Sequence, residues 1–230
     1  MKAKTKGGII LEQNNPILIL RFEGPLQSWG ERSRWDQRDT AFMPTKSGVV
    51  GLIACAMGLP RGDAKIAALS DSIAMAVRAD RPGMLMTDYH TVTGMIRTAE
   101  GKKRGKVGEP STIQSWRQYL QDASFLVAVA ADEATLFRCT DALADPVWPV
   151  WLGRKCCVPS RPVSEGITKE YASLEDVMQR YPLPARHSAA AVMFEIDSPK
   201  NGYLKQDVLT NALGHIYKHR RVELRAKAKE

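Results

Sequence analysis

The run Pro44-Thr45-Lys46-Ser47-Gly48 contains residue types that bind an anion, and it stands directly before an apolar segment. Ser47 is a good helix N-cap, so the sequence predicts a helix that begins at Gly48. The first turn of a helix offers free backbone N–H groups and the positive end of the helix dipole, here beside two hydroxyls and the Lys46 ammonium. The run therefore predicts a phosphate-binding site. The alternative is that Ser47 only caps a buried helix.

Tyr89 and His90 form a second group with chemical potential, because a basic segment with Lys102 and Lys103 follows them. A tyrosine and a histidine can act as general acid and base on a ribose 2′-hydroxyl, while a lysine stabilises the charge that develops. A histidine can equally well orient a loop or contact a phosphate through its ring nitrogens. Catalysis is therefore the alternative hypothesis for these residues.

Basic residues are in excess and clustered. The formal net charge is +8, which favours a polyanionic partner. Residues 97–106 contain five basic residues and one acid, and residues 215–230 contain six basic residues and two acids. A solvated helix face or a tail explains the second cluster, above all from Leu224 to Glu230. The first cluster lies between two segments that are predicted to be extended.

Tryptophans stand near basic residues, a combination that nucleic-acid binders use for base stacking and phosphate neutralisation. Trp29 and Trp116 lie in polar stretches and are predicted to be at the surface, whereas Trp148 and Trp151 lie among prolines and are predicted to be buried. Arg154 belongs to a predicted turn, in which it either contacts an anion or is simply solvated.

Several classes of protein are not supported by the sequence. The 230 residues contain no apolar run of about 18 residues and no secretory signal, so a cytoplasmic protein without membrane contact is expected. The four cysteines lack the spacing of metal ligands, and no GxxxxGK[ST] motif occurs. We expect neither a metal site nor a cofactor.

The apolar patterns predict an α+β fold of the ferredoxin-like (RRM-type) class, with helices on one face of the sheet and the other face free for a ligand. The predicted hairpin at about 88–120 has a basic, glycine-containing tip. In chain order the predicted elements are a strand at Ile17–Phe22, helices at 48–57 and 63–69, a strand at 73–78, the hairpin, a strand at 124–130 and a helix at 132–143.

The pattern weakens after Asp145, where prolines divide the chain into short pieces. A helix is predicted around Leu174–Arg180 and a strand at 191–196. The sequence therefore predicts an RRM-like domain over residues 1–145, including the hairpin, and a smaller, irregular, β-rich C-terminal part over residues 146–230.

Five blocks of the chain, in order and spread over nearly its whole length, resemble the CasD family of CRISPR-associated proteins, which are subunits of type I-E Cascade complexes. These blocks are Gly24–Gly30, Pro44–Leu52, Thr87–Gly94, Gln114–Phe125 and Leu152–Lys155.

The resemblance implies a non-catalytic subunit that grips the 5′ handle of the CRISPR RNA (crRNA). It implies that the hairpin is a thumb, which packs against the neighbouring backbone subunit and displaces a nucleotide of the guide. Other implied partners are the large subunit and, through the assembled complex, target DNA. The RNA-binding residues that the resemblance and the basic turn indicate are Gln27, Ser28, Trp29, Pro44, Thr45, Lys46, Ser47, Gly48, Tyr89, His90, Lys102, Lys103, Arg104, Trp116 and Arg154.

Two alternatives remain at this stage. In type I-C systems the relative of CasD is a metal-independent endoribonuclease, and Tyr89, His90 and Lys102 could serve such an activity here. The chain could also be a general RNA-binding module that is unconnected with CRISPR.

Overall fold

The computed structural model describes residues 15–228, except residues 33, 95, 98–100, 106–108, 188–191, 212 and 214–215. The strands and helices in chain order are β1 (Ile17–Glu23), β2 (Leu26–Gln27), β3 (Gln37–Arg38), α1 (Lys46–Ala56), α2 (Ala64–Ser72), β4 (Ala74–Arg81), β5 (Met84–Gly94), β6 (Ile96–Arg97), β7 (Lys103–Arg104), β8 (Ser111–Gln121), β9 (Ser124–Ala130), α3 (Glu133–Ala144), β10 (Ser164–Thr168), α4 (Leu174–Arg180), β11 (Met193–Asp197), β12 (Tyr203–Asn211) and β13 (Ile216–Ala226). None of the described helices is long and apolar enough to cross a membrane.

The main sheet has seven strands in the order β10-β1-β9-β4-β11-β13-β12, and all its pairs are antiparallel. Four of these strands, β1, β4, β9 and β10 in chain order, form a ferredoxin-like unit. They lie in the sheet in the order β10-β1-β9-β4, so the fourth strand is at the edge, beside the first, and the third lies between the first and the second. Helices α1 and α2 connect the first two of these strands, and α3 connects the last two. This topology confirms the predicted α+β, ferredoxin-like class.

Both faces of the sheet are covered, which corrects the expectation of a face left free for a ligand. Apolar residues of α1, α2 and α3 pack on one face. On the other face, Leu174, Val177 and Met178 of α4 pack against residues such as Ile19 and Phe194. Alternate residues of a strand point to opposite faces, and the central strands are apolar on both, so each face needs a covering layer. The ligand site must therefore lie beside the sheet.

Buried charges fix the segment after α4 to the second face. Arg78 is fully buried, its Nε lies 2.6 Å from Asp80 Oδ1, and its guanidinium donates to the Met178 and Tyr181 carbonyls at 2.8 and 2.9 Å. The Tyr181 hydroxyl donates to Glu165 at 2.9 Å. Burial and that carboxylate raise the pKa of Tyr181 to about 12. These bonds satisfy charges that would otherwise be costly to bury.

Strands from the C-terminal part join the same sheet on both sides of the ferredoxin-like core. β10 pairs with β1, and β11 pairs with β4. The basic residues that were expected on a solvated helix face or tail instead form β13 as far as Ala226. The division of the chain at residues 145 and 146 remains a prediction, and the sheet contains strands from both sides of it.

The predicted hairpin is present and starts slightly earlier than expected. β5 and β8 pair over eleven residues each, from Met84 opposite Gln121 to Gly94 opposite Ser111. We call these two strands the thumb hairpin. β2 and β3 pair with the other edge of β8, and β6 pairs with β7 beyond the end of β5.

Candidate nucleic-acid groove

A groove of about 630 Å³ opens along the exposed side of α1, and we call it the α1 groove. Its volume is typical of sites for small molecules and cofactors. Four separate parts of the chain contribute, which are the segments around β2 and β3, α1 with α2, the segment at 148–154 and the β12–β13 hairpin. The lining residues are Ser28, Trp29, Gly30, Arg38, Thr45, Ser47, Gly48, Gly51, Ala54, Cys55, Leu59, Arg61, Ile66, Trp148, Gly153, Arg154, Leu209 and Tyr217.

The floor of the groove consists of small residues of α1. Gly51 is exposed, and a Cβ atom built on it would meet no atom within 4 Å. A Cβ on Gly48 would lie 2.8 Å from Cε3 of Trp29, so this glycine lets the tryptophan pack against the helix. The two glycines therefore have different roles, one in packing and one in leaving the floor open.

Close backbone contacts hold the walls in place. Gly153 has a φ of +96°, and a Cβ on it would overlap the Ser28 carbonyl. The Ser28 amide donates to the Leu152 carbonyl at 3.0 Å. At the other end of α1, the Val147 amide donates to the Ala56 carbonyl at 2.9 Å. The segment at 147–154 therefore runs alongside α1 and is anchored near both ends of the groove.

Of the described residues that line the groove, three are charged and all are arginines. Arg154 donates to the Gln118 and Arg38 carbonyls at 2.9 and 2.8 Å, and its guanidinium lies 4.6 Å from the Tyr119 ring centre. Arg38 has a buried Nε without a hydrogen-bond partner in the described structure. Arg61 is exposed. Burial raises the pKa of the Cys55 thiol, against the influence of Lys155, so the thiol adds no negative charge. The groove is therefore cationic.

The start of α1 differs from the sequence prediction in one important respect. The N-cap is Thr45 instead of Ser47, and its side chain accepts from the Gly48 amide at 3.2 Å. Ser47 lines the groove as a residue of the first turn, and Pro44 is buried before it. Lys46 is only 7% exposed, and its Nζ donates to the Ile73 carbonyl at 2.7 Å. Lys46 therefore does not offer its ammonium to the groove.

The anion at the N-terminus of α1 is a carboxylate of the protein itself, that of Asp207. The Lys46 amide donates to Asp207 Oδ2 at 2.8 Å, and Asp207 also accepts from Arg220 Nε at 2.7 Å. Asp197 is a second ion-pair partner of Arg220. Burial lowers the pKa of Lys46, although Asp197 opposes this effect. The N-terminus of α1 therefore binds an anion as predicted, but this anion is a side chain of β12, and the contact attaches β12 to α1.

The residues predicted at positions 27–29 are mainly structural. Gln27 is fully buried and donates to the Phe22 and Ala123 carbonyls at 3.0 and 2.9 Å. The Trp29 ring stacks on Phe22 with centres 5.3 Å apart. Trp29 is 1% exposed, so its predicted surface position is wrong. It is large and apolar, and Gly48 leaves room for it beneath the groove. Ser28 reaches the groove, but its hydroxyl donates to a carbonyl.

The thumb hairpin carries the remaining predicted residues away from the α1 groove. Tyr89 and Trp116 are opposite each other, 53% and 44% exposed, with ring centres 5.4 Å apart. His90 is opposite Ser115 and therefore points to the other face. Lys102 and Lys103 are exposed beyond the end of β5. Arg104 pairs with Ile96 through the backbone, and its side chain lies outside the described structure.

Arg38, Arg61 and Trp148 are among the groove residues that were absent from the predicted site. Arg38 belongs to the two-residue strand β3 and Arg61 to the loop after α1, and neither stands in a sequence pattern that distinguishes it from other basic residues. Trp148 was predicted to be buried but is 43% exposed. Its neighbour Val147 is 65% exposed, so this segment lies on the surface. The described residues contain no cluster of three potential metal ligands.

The fold and the groove define a ferredoxin-like protein with a cationic cleft beside a long β-hairpin. A family model described as "CRISPR-associated protein (Cas_Cas5)" matches residues 17–223. The curated protein "CRISPR system Cascade subunit CasD" of Escherichia coli (strain K12) is 37% identical over 161 residues, which cover 65% of this chain and 70% of that protein.

Solved structures agree with these matches. A chain of a structure titled "CRISPR RNA-guided surveillance complex" matches with a TM-score of 0.74 and 32% identity, over 92% of this chain and 90% of that one. A "Crystal structure of Cas protein" matches with a TM-score of 0.70 and 32% identity, over 91% and 94%. The chain belongs to the Cas5 family of CRISPR-associated proteins.

Proposed function

We propose that this protein is a non-catalytic subunit of a Cascade complex, which binds the 5′ handle of crRNA in the α1 groove and helps to assemble the RNA-guided surveillance complex. The main support is the cationic groove, which Arg38, Arg61 and Arg154 line. Arginine guanidinium groups bind phosphate oxygens through charge-assisted hydrogen bonds, often two at once. The family membership and the CasD relative agree with this proposal.

The thumb hairpin supplies a second contact in this proposal. Its exposed Tyr89 and Trp116 form an aromatic surface that suits a neighbouring backbone subunit. Lys102 and Lys103 at the far end suit the guide RNA. The large subunit and target DNA are the other partners that we propose, both in the assembled complex in the cytoplasm.

The geometry favours binding over cleavage by Tyr89 and His90. Consecutive residues of a strand point to opposite faces, so their side chains cannot converge on one 2′-hydroxyl while β5 remains a regular strand. Incubation of the protein with repeat RNA in EDTA tests this step. We expect no specific cleavage, and cleavage that is lost in His90→Ala would instead support the endoribonuclease.

Copurification tests the proposed assembly. The tagged chain is co-expressed with its genomic neighbours and a CRISPR array, and the recovered RNA is sequenced. We expect mature crRNA with a defined 5′ handle in a multi-subunit particle. Recovery of the chain alone, or with mixed cellular RNA, would contradict the proposal and favour a general RNA-binding module.

An arginine substitution tests the groove itself. Arg61→Gln removes an exposed charge from the groove, and Arg186→Gln is the matched control, because Arg186 is exposed and does not line the groove. One phosphate contact contributes about 0.7 to the slope of log affinity against log salt for single strands. We expect Arg61→Gln to weaken handle binding and to reduce this slope by about that amount. Equal behaviour of both variants would refute the assignment.

A further inference from the structure

The α1 groove has two ends with different chemistry. Ser28, Thr45 and Ser47 place hydroxyls near the start of α1, where Arg154 is held beside Arg38. The rest of the groove is lined mainly by apolar residues. These are Leu59, Ile66, Trp148, Leu209 and Tyr217, with Arg61 as the charged residue among them. Thr45 and Cys55 are ten residues apart, which corresponds to about 15 Å along a helix.

Backbone and side-chain contacts identify the two ends of the groove. The Leu59 amide donates to the Ala54 carbonyl at 2.9 Å, in the last part of α1. Trp148 follows Val147, whose amide donates to Ala56, and the Cys55 thiol lies 3.9 Å from the Trp148 carbonyl. The β12–β13 hairpin reaches the loop after α1, where a Cβ on Gly62 would lie 2.8 Å from Leu213. Leu59 and Trp148 therefore lie at the C-terminal end of α1, whereas Leu209 and Tyr217 lie on the hairpin between Asp207, which contacts the start of α1, and Leu213.

Two aromatic side chains are available in this apolar end. Trp148 is 43% exposed, and Tyr217 is half-buried opposite Leu209. Within the described residues, neither ring stacks on another aromatic ring. Gly51, at the open floor, lines the same groove. A flat, partly apolar group can therefore enter and contact an aromatic face, while an anionic group attached to it binds an arginine.

We propose that this end of the groove is a pocket for one unpaired nucleobase of the bound RNA, with Trp148 and Tyr217 as the residues that contact it. The proposal rests on the proposed function, because the arginines select a nucleic acid and the apolar end then accepts a base. Base stacking on aromatic side chains and phosphate binding by arginine are the two contacts by which proteins hold single-stranded RNA. The C-terminal hairpin thereby contributes to recognition of the RNA.

Abasic substitution tests the pocket directly. Handle RNAs that each lack one base are titrated against the purified full-length protein, and against Trp148→Leu. We expect one abasic position to weaken binding by about tenfold, the amount that corresponds to about 1.4 kcal/mol. The same abasic RNA should bind Trp148→Leu no more weakly than the intact RNA does, because the lost contact is the same in both cases.

A second variant covers the case in which Trp148→Leu does not fold. Gly51→Leu adds a side chain to the open floor and removes no contact, so it should block the base and abolish the abasic effect. The proposal is overturned if every abasic RNA binds like the intact RNA, or if the abasic loss is undiminished in both variants. In either case a weakened Arg61→Gln would leave the proposed function standing. Normal RNA binding by Gly51→Leu together with failed assembly would mean that a protein occupies this end.

Discussion

Substitution of the two groove glycines by alanine should change stability in opposite directions. Gly51 is in the interior of α1 and a Cβ there meets nothing within 4 Å, so Gly51→Ala should raise the free energy of unfolding by about 0.5–1 kcal/mol. A Cβ on Gly48 would lie 2.8 Å from Trp29 and 3.1 Å from the Thr45 hydroxyl. Trp29 is buried and cannot move away, so Gly48→Ala should cost about 1–3 kcal/mol through overpacking.

Thermal unfolding followed by circular dichroism measures this difference. For a chain of this size, 1 kcal/mol corresponds to about 2–4 °C in Tm. We expect Gly51→Ala to melt a few degrees above Gly48→Ala and slightly above the natural protein. The two variants make the same chemical change three residues apart in one helix, so each is a control for the other.

Measurement of RNA binding tests whether the open floor at Gly51 is needed for RNA, independently of the effect of Gly51 on helix stability. Gly51→Leu should fold at least as well as the natural protein, because leucine favours helices and the added side chain enters the groove. We expect its affinity for handle RNA to fall at least tenfold in a filter-binding assay at fixed salt. A stable Gly51→Leu variant with unchanged affinity would refute the placement of RNA over α1. A destabilised Gly51→Ala would refute the reasoning about the floor.

Three further substitutions address other parts of the molecule. Asp207→Asn should destabilise the protein by about 1.5–3 kcal/mol in urea unfolding, because it removes one of the two carboxylates that pair with buried Arg220. Exposed Asp141→Asn should have little effect. Stability should fall as the pH rises from 10 toward 12, because the pKa of Tyr181 is raised in the folded state, and Tyr181→Phe should flatten this decline. Trp116→Ser should reduce copurification of other subunits with little change in Tm, whereas Phe137→Ser, which removes an equally exposed ring from α3, should not.

The regular elements were predictable where apolar runs are long. β1 and β9 appear in the sequence as mainly apolar segments, so their positions were predicted almost residue for residue. β4 was predicted at 73–78 and continues to Arg81, because its last residues are charged. β10 was missed, because Ser164–Thr168 has little apolar character and includes a glycine. β12 and β13 were missed for a related reason, since charged residues interrupt both strands. Those charges are paired in the fold, and pairing is not visible in a local pattern.

The candidate site was predictable in part. Of the residues that were predicted to bind RNA, six line the groove, namely Ser28, Trp29, Thr45, Ser47, Gly48 and Arg154. Lys46 does not, because its ammonium is attached to the Ile73 carbonyl inside the protein. A local motif shows which residue types are present, but it does not show which of them face inward.

The amino-acid sequence by itself determined the ferredoxin-like class, the long hairpin, the basic character and the family, because apolar periodicity, charge and motif order are local properties of the chain. Only the tertiary structure decided what occupies the start of α1. The sequence pattern predicts an anion there, and the anion is Asp207, which lies 161 residues away from Lys46 along the chain. The groove also depends on the tertiary structure, because four segments that are distant in sequence line it. Packing across the whole sheet brings these segments together.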